Sequence, residues 1–140
     1  MKQFAIIISL FFFAYTSAQK KKDVVGYYRS ADNTSIFKFY KSGEKYVGKL
    51  VWMKHPERLD TMNPDATERN KKLLGSILAY GLIFDGKNQW KEGFVYDATK
   101  GKTFSCQITR DEKGNIEMRG YIGVPILGKS EFFTKVSFKE

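Results

Sequence analysis

The chain has 140 residues, of which 28% are charged and 42% hydrophobic, with a formal net charge of +9 and a single cysteine. This length allows one compact core and is too short for two, and a single cysteine excludes an internal disulfide. Packing must therefore stabilise the fold, and the excess of basic residues favours contact with anionic partners.

The N-terminal segment has the pattern of a cleaved export signal. A short positive start precedes an apolar run over residues 4–15, and small side chains end at Ala18. The run is too short to span a bilayer as a helix, and lysines follow it instead of a second apolar segment. We therefore predict a signal peptide at 1–18, a single domain at 19–140, a periplasmic or secreted bacterial location and no membrane span after cleavage.

Short strands separated by turns dominate the first half of the remaining sequence. Strands are predicted at 24–29, 36–40 and 45–53, and a Ser-Gly pair joins the last two in a tight turn. A connection over 54–72 then contains two prolines and no sustained apolar periodicity, with one helical turn predicted near 65–70. Loops of this length are uncommon in compact domains and are often functional.

The second half continues the same pattern. The apolar run 73–84 contains two glycines and is predicted as a bent strand. Further strands are predicted at 90–97, 103–109, 116–123 and 129–138, with glycine-containing turns or short loops between them. Eight strands result.

Alternation of apolar and polar residues is clearest in the sixth strand. Phe104, Cys106 and Ile108 share one face, and polar residues share the other. Eight is about the number of strands at which an antiparallel sheet closes into a barrel. We predict an all-β fold, an eight-stranded antiparallel up-and-down barrel with one long loop after the third strand.

Several ordered motifs resemble those of a known family. They are Asp60-x-x-Asn63-Pro64 with Arg69 and Leu74-Gly75, Trp90-x-x-Gly93-x-x-Tyr96-Asp97, Gly101-Lys102-x-Phe104, and Met118-Arg119-Gly120-Tyr121-Ile122-Gly123. From Val24 to about Lys135 the chain resembles the exported bacterial "domain of unknown function 2147" family. The resemblance implies a lipocalin-like (calycin) barrel and an exported protein, and it implies no particular reaction.

Catalytic chemistry has few candidate residues. His55 is the only histidine, and a metal site built from it, Cys106 and carboxylates would have none of the usual ligand spacings. A Cys106–His55 dyad is also disfavoured, because alternation places Cys106 on the apolar face, where a cysteine is usually inert. We predict no metal and no cofactor, and export argues against a nucleic-acid partner.

The loop between Asp60 and Arg69 has two interpretations. Asp60, Asn63 and Arg69 could line the mouth of a cavity or bind a cation. Alternatively, Asp60 and Asn63-Pro64 form turns, and Asp65 caps a short helix. The sequence favours the structural interpretation.

Arg119 and Asp97 form a second candidate pair. Each lies in a predicted strand beside a tyrosine, Tyr121 or Tyr96. They are predicted either to pair on the wet outer face of the sheet, which is the favoured interpretation, or to face an anionic ligand.

We predict a non-catalytic protein whose barrel binds a small apolar or amphipathic ligand, or an anionic envelope component such as a lipid. One alternative is a structural or protein-interaction module whose barrel is filled by its own side chains. The other is a hydrolase that uses Asp60 or Asp97. The candidate ligand-binding residues are Trp52, Asp60, Asn63, Arg69, Tyr80, Trp90, Phe94, Tyr96, Asp97, Met118, Arg119 and Tyr121.

Overall fold

The computed structural model describes residues 23–140, which form a closed eight-stranded antiparallel barrel. Each strand pairs with its neighbour in chain order, and the last strand closes on the first. The predicted up-and-down barrel is confirmed. The predicted signal peptide lies outside the described residues. The strands are β1 Gly26–Ser30, β2 Ser35–Ser42, β3 Lys45–Met53, β4 Ile77–Phe84, β5 Gln89–Asp97, β6 Lys102–Arg110, β7 Ile116–Tyr121 and β8 Lys129–Val136.

The long connection lies between β3 and β4, as predicted, and it contains a short 3₁₀ helix at Ala66–Glu68. Asp65 caps this helix, because its carboxylate accepts a 3.0 Å hydrogen bond from the Thr67 amide. The run predicted as a strand from residue 73 becomes one only at Ile77. A second 3₁₀ helix, Pro125–Leu127, lies in the loop before β8.

Large apolar side chains fill the middle of the barrel. Cys106 and Ile108 are fully buried there, as the alternation predicted. They pack with Val24, Tyr28, Phe39, Ala79, Leu82, Trp90, Ile116, Met118 and Phe133. Burying a large apolar side chain contributes roughly 1.5–3 kcal/mol, so this cluster supplies the packing that the fold needs in place of a disulfide.

Interior glycines make room for these side chains. A Cβ atom added at Gly48 would lie 2.7 Å from Cε1 of Phe39, and one added at Gly93 would lie 2.5 Å from Cδ2 of Leu82. Such contacts are closer than packed carbon atoms approach. The barrel wall therefore carries a glycine at the two points where the Phe39 ring and the Leu82 side chain cross the interior.

Side chains along a strand point alternately into and out of the barrel, and in β4 and β5 this alternation shifts partway along the strand. Gly81 and Glu92 both have positive φ angles, 72° and 61°, and they lie between the same two paired rungs of the ladder. The shift turns Leu82 into the core and leaves Tyr80 and Phe94 outside, 41% and 44% exposed. Tyr80 and Phe94, predicted as pocket walls, instead pack on each other with ring centroids 5.6 Å apart.

The two ends of the barrel differ. We call the end formed by the turns at 42–45, 84–89 and 110–116 the hairpin end. The opposite end, which carries the long connection at 53–77, is called the loop end. The candidate site lies at the hairpin end.

Candidate functional site

A cleft of about 1450 Å³ opens at the hairpin end of the barrel. Tyr46, Phe84 and Trp90 form its aromatic floor. The Phe84 and Trp90 rings stack with centroids 4.8 Å apart, and Tyr46 meets Trp90 edge-on at 6.1 Å. Ile83 adds partly exposed apolar surface to the same cleft. The floor is therefore suited to contact with an apolar group.

Three buried polar atoms at this end have no hydrogen-bond partner within residues 23–140. They are Oη of Tyr28, Nε1 of Trp90 and Nε of Arg110, which we call the donor cluster. The indole and guanidinium nitrogens can only donate, and the phenol can donate as well. A buried donor without an acceptor costs about 1–3 kcal/mol, so this arrangement is unfavourable unless something else accepts from it.

Strand register brings the donor cluster together. Trp90 pairs with Ile108, and the amide of Arg110 donates a 2.9 Å hydrogen bond to the carbonyl of Asn88. Trp90 and Arg110 are therefore diagonal neighbours on the inward faces of β5 and β6. Trp90 and Arg110 line the cleft directly, while Tyr28 lies deeper, in the core.

Burial raises the pKa of Tyr28 to about 12, and the nearby Arg110 guanidinium opposes this rise only in part. The phenol is therefore protonated at any physiological pH and keeps its hydrogen available for donation. Tyr28 pairs with Lys135 across the sheet, and a Cβ atom added at Gly114 would lie 3.7 Å from Cδ of Lys135 and 3.3 Å from Nη2 of Arg110, so the guanidinium lies on the same side of the barrel as Tyr28.

The charged lining of the cleft is mixed. Three basic side chains, Lys41, Lys87 and Arg110, face four acidic ones. Within the described chain, none of the acids forms an ion pair with Arg110. A partly buried guanidinium without a carboxylate partner is a natural position for an anion.

Four of the predicted site residues meet at the loop end in one network. Asp60, only 9% exposed, accepts hydrogen bonds from Oη of Tyr96 at 2.6 Å and from Nδ2 of Asn63 at 2.8 Å. Arg69 donates from Nε to the carbonyl of Asn63 at 2.7 Å. This network fastens the long connection to β5.

Arg119 and Asp97 bond to different partners. The Arg119 guanidinium donates to the carbonyls of Pro125 and Ile126 at 2.6 and 3.2 Å and to Oγ of Ser130 at 2.8 Å. Burial alone would raise the pKa of Asp97, but hydrogen bonds from Thr99 hold it below its usual value. Arg119 thus holds the loop before β8, and Asp97 stabilises the turn after β5.

The remaining predicted residues are spread over the barrel. Trp52 lies near the loop end with the Arg29 guanidinium 5.7 Å from its ring centroid. Met118 belongs to the buried core, and Tyr121 pairs with Ser105 across the sheet. Of the twelve predicted residues, Trp90 is the one that lines the cleft.

Sequence reasoning missed Arg110 and Tyr28. Arg110 follows Cys106 and Ile108 at the same two-residue spacing, so alternation places it on the inward face. That signal was present in the sequence. A charge at the end of a strand, next to two acids, is nevertheless typical of a solvated turn.

The groups considered for nucleophilic or metal chemistry lie apart from the cleft. Cys106 is fully buried, and burial raises its thiol pKa to about 12. The His55 side chain is 68% exposed, and its Nδ1 atom lies 3.6 Å from Oε1 of Glu57. Over residues 23–140, no three His, Cys, Asp or Glu side chains are grouped as metal ligands would be.

In the part of the chain that the structure describes, no helix has the length and apolar character needed to cross a membrane.

Comparison with known proteins identifies relatives of this barrel. A family model described as "Uncharacterized protein conserved in bacteria (DUF2147)" matches residues 26–135. A similar solved structure is that of protein HP1028 from the human pathogen Helicobacter pylori, described as belonging to the lipocalin family. The sequences are 22% identical, and the match has a TM-score of 0.75 and covers 82% of this chain and 84% of that chain. At this identity the likeness concerns the fold. No curated protein matches the sequence.

Proposed function

We propose, from the premise that this chain belongs to the DUF2147 family and has a lipocalin-like barrel, that it binds a small amphipathic ligand in the cleft at its hairpin end. The observation that carries the proposal is that two members of the donor cluster, Trp90 and Arg110, line the same cleft as the exposed Phe84 ring, while Tyr28 lies in the adjoining core. Binding pockets typically combine apolar walls with a few convergent polar groups.

The position of this site differs from the interior site that the sequence suggested. Side chains of the core cluster occupy the middle of the barrel, so a ligand there would have to displace them. The cleft needs less displacement, because Ile83 and Phe84 are already exposed there and only the contacts that cover the donor cluster would have to open. A ligand would cover Ile83 and Phe84 with its apolar part and accept hydrogen bonds from the donor cluster with its polar part.

We further propose that the protein is exported to the periplasm or the extracellular medium of a bacterium. The support is the sequence pattern of residues 1–18, with its apolar run and small residues up to Ala18. Mass spectrometry of the protein recovered from separate cell fractions tests this proposal. Export predicts a chain that begins at Gln19 in the envelope or the medium, whereas a full-length chain confined to the cell interior would contradict it.

Tryptophan fluorescence tests the binding proposal, because the chain has two tryptophans and only Trp90 lines the cleft. Trp52→Phe leaves Trp90 as the sole reporter, and Trp90→Phe leaves Trp52 as the control. Each variant is titrated with 12-carbon amphiphiles below their micelle concentration. We expect a saturable change in the Trp90 emission and none in the Trp52 emission. No saturable change, or a change confined to Trp52, would refute binding in this cleft.

A further inference from the structure

We infer that the cleft selects single-chain ligands with a carboxylate head group, which the donor cluster holds while the aromatic floor covers the apolar chain. The inference rests on the proposed function, because it names the class of ligand bound in the same cleft. It stands on the donor cluster: two nine-tenths or more buried side chains, Tyr28 and Trp90, and the guanidinium of Arg110.

The chemistry of the donor cluster favours an acceptor as its partner. The Trp90 indole and the Arg110 guanidinium offer hydrogens and no lone pairs, and the buried Tyr28 phenol holds its proton. A cationic head group would leave these hydrogens unpaired and would also approach Arg110. Aromatic rings can bind a cation when their faces are open to it. Here the Phe84 and Trp90 rings stack on each other, so they do not form such a cage.

Arg110 favours a negative charge on the head group, and the excess of acids on the rim limits that charge to one. Arg110 provides one guanidinium at the donor cluster, and the rim carries two lysines against four acids. A doubly charged phosphate would meet more repulsion from those acids than a carboxylate would. A carboxylate also offers two oxygens with about four lone-pair positions, which is enough for three donors.

The rest of the ligand would lie on apolar surface that is already exposed. Phe84 and Ile83 are 37% and 40% exposed, and Tyr46 borders them in the cleft. A flexible alkyl chain can follow this irregular floor, because its contacts are non-directional. The polar end therefore determines the orientation of the ligand and the apolar chain determines most of its affinity.

Isothermal titration calorimetry with three ligands of equal chain length tests the inference. Dodecanoate, 1-dodecanol and dodecyltrimethylammonium are each titrated into the protein below their micelle concentrations, at a pH where the carboxylate is ionised. We expect dodecanoate to bind about tenfold or more tightly than dodecanol, as hydrogen bonds to a charged group imply. We expect the ammonium compound to bind more weakly than dodecanol.

Matched variants assign the preference to the donor cluster. Arg110→Gln and Lys41→Gln remove the same charge from the cleft lining, but only Arg110 belongs to the donor cluster. We expect Arg110→Gln to weaken dodecanoate binding about tenfold and to leave dodecanol binding within about twofold, and Lys41→Gln to change neither by more than about threefold. Tyr28→Phe keeps the ring and removes one donor, so it decides the question if Arg110→Gln does not fold.

The outcomes separate the two proposals. If dodecanol and dodecanoate bind the wild type equally well, or if Arg110→Gln and Lys41→Gln have equal effects, the carboxylate inference is overturned and binding in the cleft stands. Tighter binding of the ammonium compound also overturns it. If none of the three ligands binds the wild type, the proposed function is refuted together with the inference.

Discussion

The phenol of Tyr96 donates a 2.6 Å hydrogen bond to Oδ1 of Asp60, across 36 positions of the chain. Asp60 is the buried acid of the long connection, and Tyr96 lies on β5. The bond therefore joins the least regular segment of the protein to the wall of the barrel. Burial of the Tyr96 phenol and its hydrogen bond to Asp60 together raise the pKa of Tyr96 to about 12.

Removing this phenol should destabilise the protein. Tyr96→Phe leaves the Asp60 carboxylate short of a donor, and we expect a loss of about 1.5–3 kcal/mol in the free energy of unfolding. Tyr80→Phe is the control, because that ring lies on the exposed outer face. Urea unfolding measures both variants. Equal stability of the two variants would show that the Tyr96–Asp60 bond contributes little.

Stability should fall in alkaline solution because three groups have raised pKa values, Tyr96 and two others that are buried in their protonated forms. Burial raises the pKa of the Cys106 thiol from 9.0 to about 12 and that of the Tyr28 phenol from 10.0 to about 12. The unfolded chain loses these protons first, so their contribution is complete below about pH 9 and is lost as the pH rises toward 12. Each group removes about 1.4 kcal/mol per pH unit within its window.

Urea unfolding at a series of pH values from about 8 to 11 measures this effect. Tyr28→Phe and Cys106→Ala each remove one of the two buried groups, so each variant should lose stability less steeply with rising pH than the wild type. The slope is the informative quantity, because Cys106→Ala also changes the packing at every pH. Parallel curves for the wild type and both variants would contradict the assignment.

The sequence was sufficient for the architecture because eight short runs of strand-forming residues are separated by turns, and this spacing predicts the strands whichever way their side chains face. The inward face of β6 followed directly from Phe104, Cys106 and Ile108. Which side chains of β4 and β5 point into the barrel could not be predicted in this way, because the positive φ angles at Gly81 and Glu92 shift the alternation within each strand. A glycine within a strand can indicate a shift of this kind, but it can equally indicate a bend or a close backbone contact. A glutamate gives no indication of a positive φ angle.

The candidate site was less accessible from the sequence for a different reason. Its residues come from strands far apart in the chain, and what marks Tyr28, Trp90 and Arg110 is the lack of an acceptor within the described residues. A missing partner is a property of the packed structure and leaves no local pattern. The loop with Asp60, by contrast, was conspicuous in the sequence because its turn and capping residues are close together.

Two glycines beside Cys106 should respond differently to substitution. Gly93 and Gly120 pair with Cys106 from opposite sides. A Cβ atom at Gly93 would lie 2.9 Å from the carbonyl oxygen of Tyr80, whereas the nearest atom to one at Gly120 is 3.6 Å away. We expect Gly93→Ala to cost about 1–3 kcal/mol and Gly120→Ala less than about 0.5 kcal/mol. Thermal unfolding compares the two, and similar costs would contradict the packing described here.

Arg119 should control the order of the loop before β8. Its guanidinium holds the carbonyls of Pro125 and Ile126, and that loop exposes Ile126 and Leu127 to solvent. We expect Arg119→Met to increase amide hydrogen exchange at Leu127 about tenfold, with little change in global stability. Arg29→Met, which removes a guanidinium from the Trp52 ring instead, serves as the control. Unchanged exchange in Arg119→Met would show that the loop is ordered by other contacts.

The most direct measurement of ligand binding in the cleft is the two-dimensional ¹H–¹⁵N NMR spectrum of the protein titrated with dodecanoate. The chain has two tryptophans and therefore two indole N–H signals, one from the donor cluster and one from Trp52 near the loop end. If the ligand binds as proposed, the Trp90 signal shifts saturably as its Nε1 gains an acceptor, and the Trp52 signal stays in place. A stationary Trp90 signal, or a shift of Trp52 alone, would contradict the account.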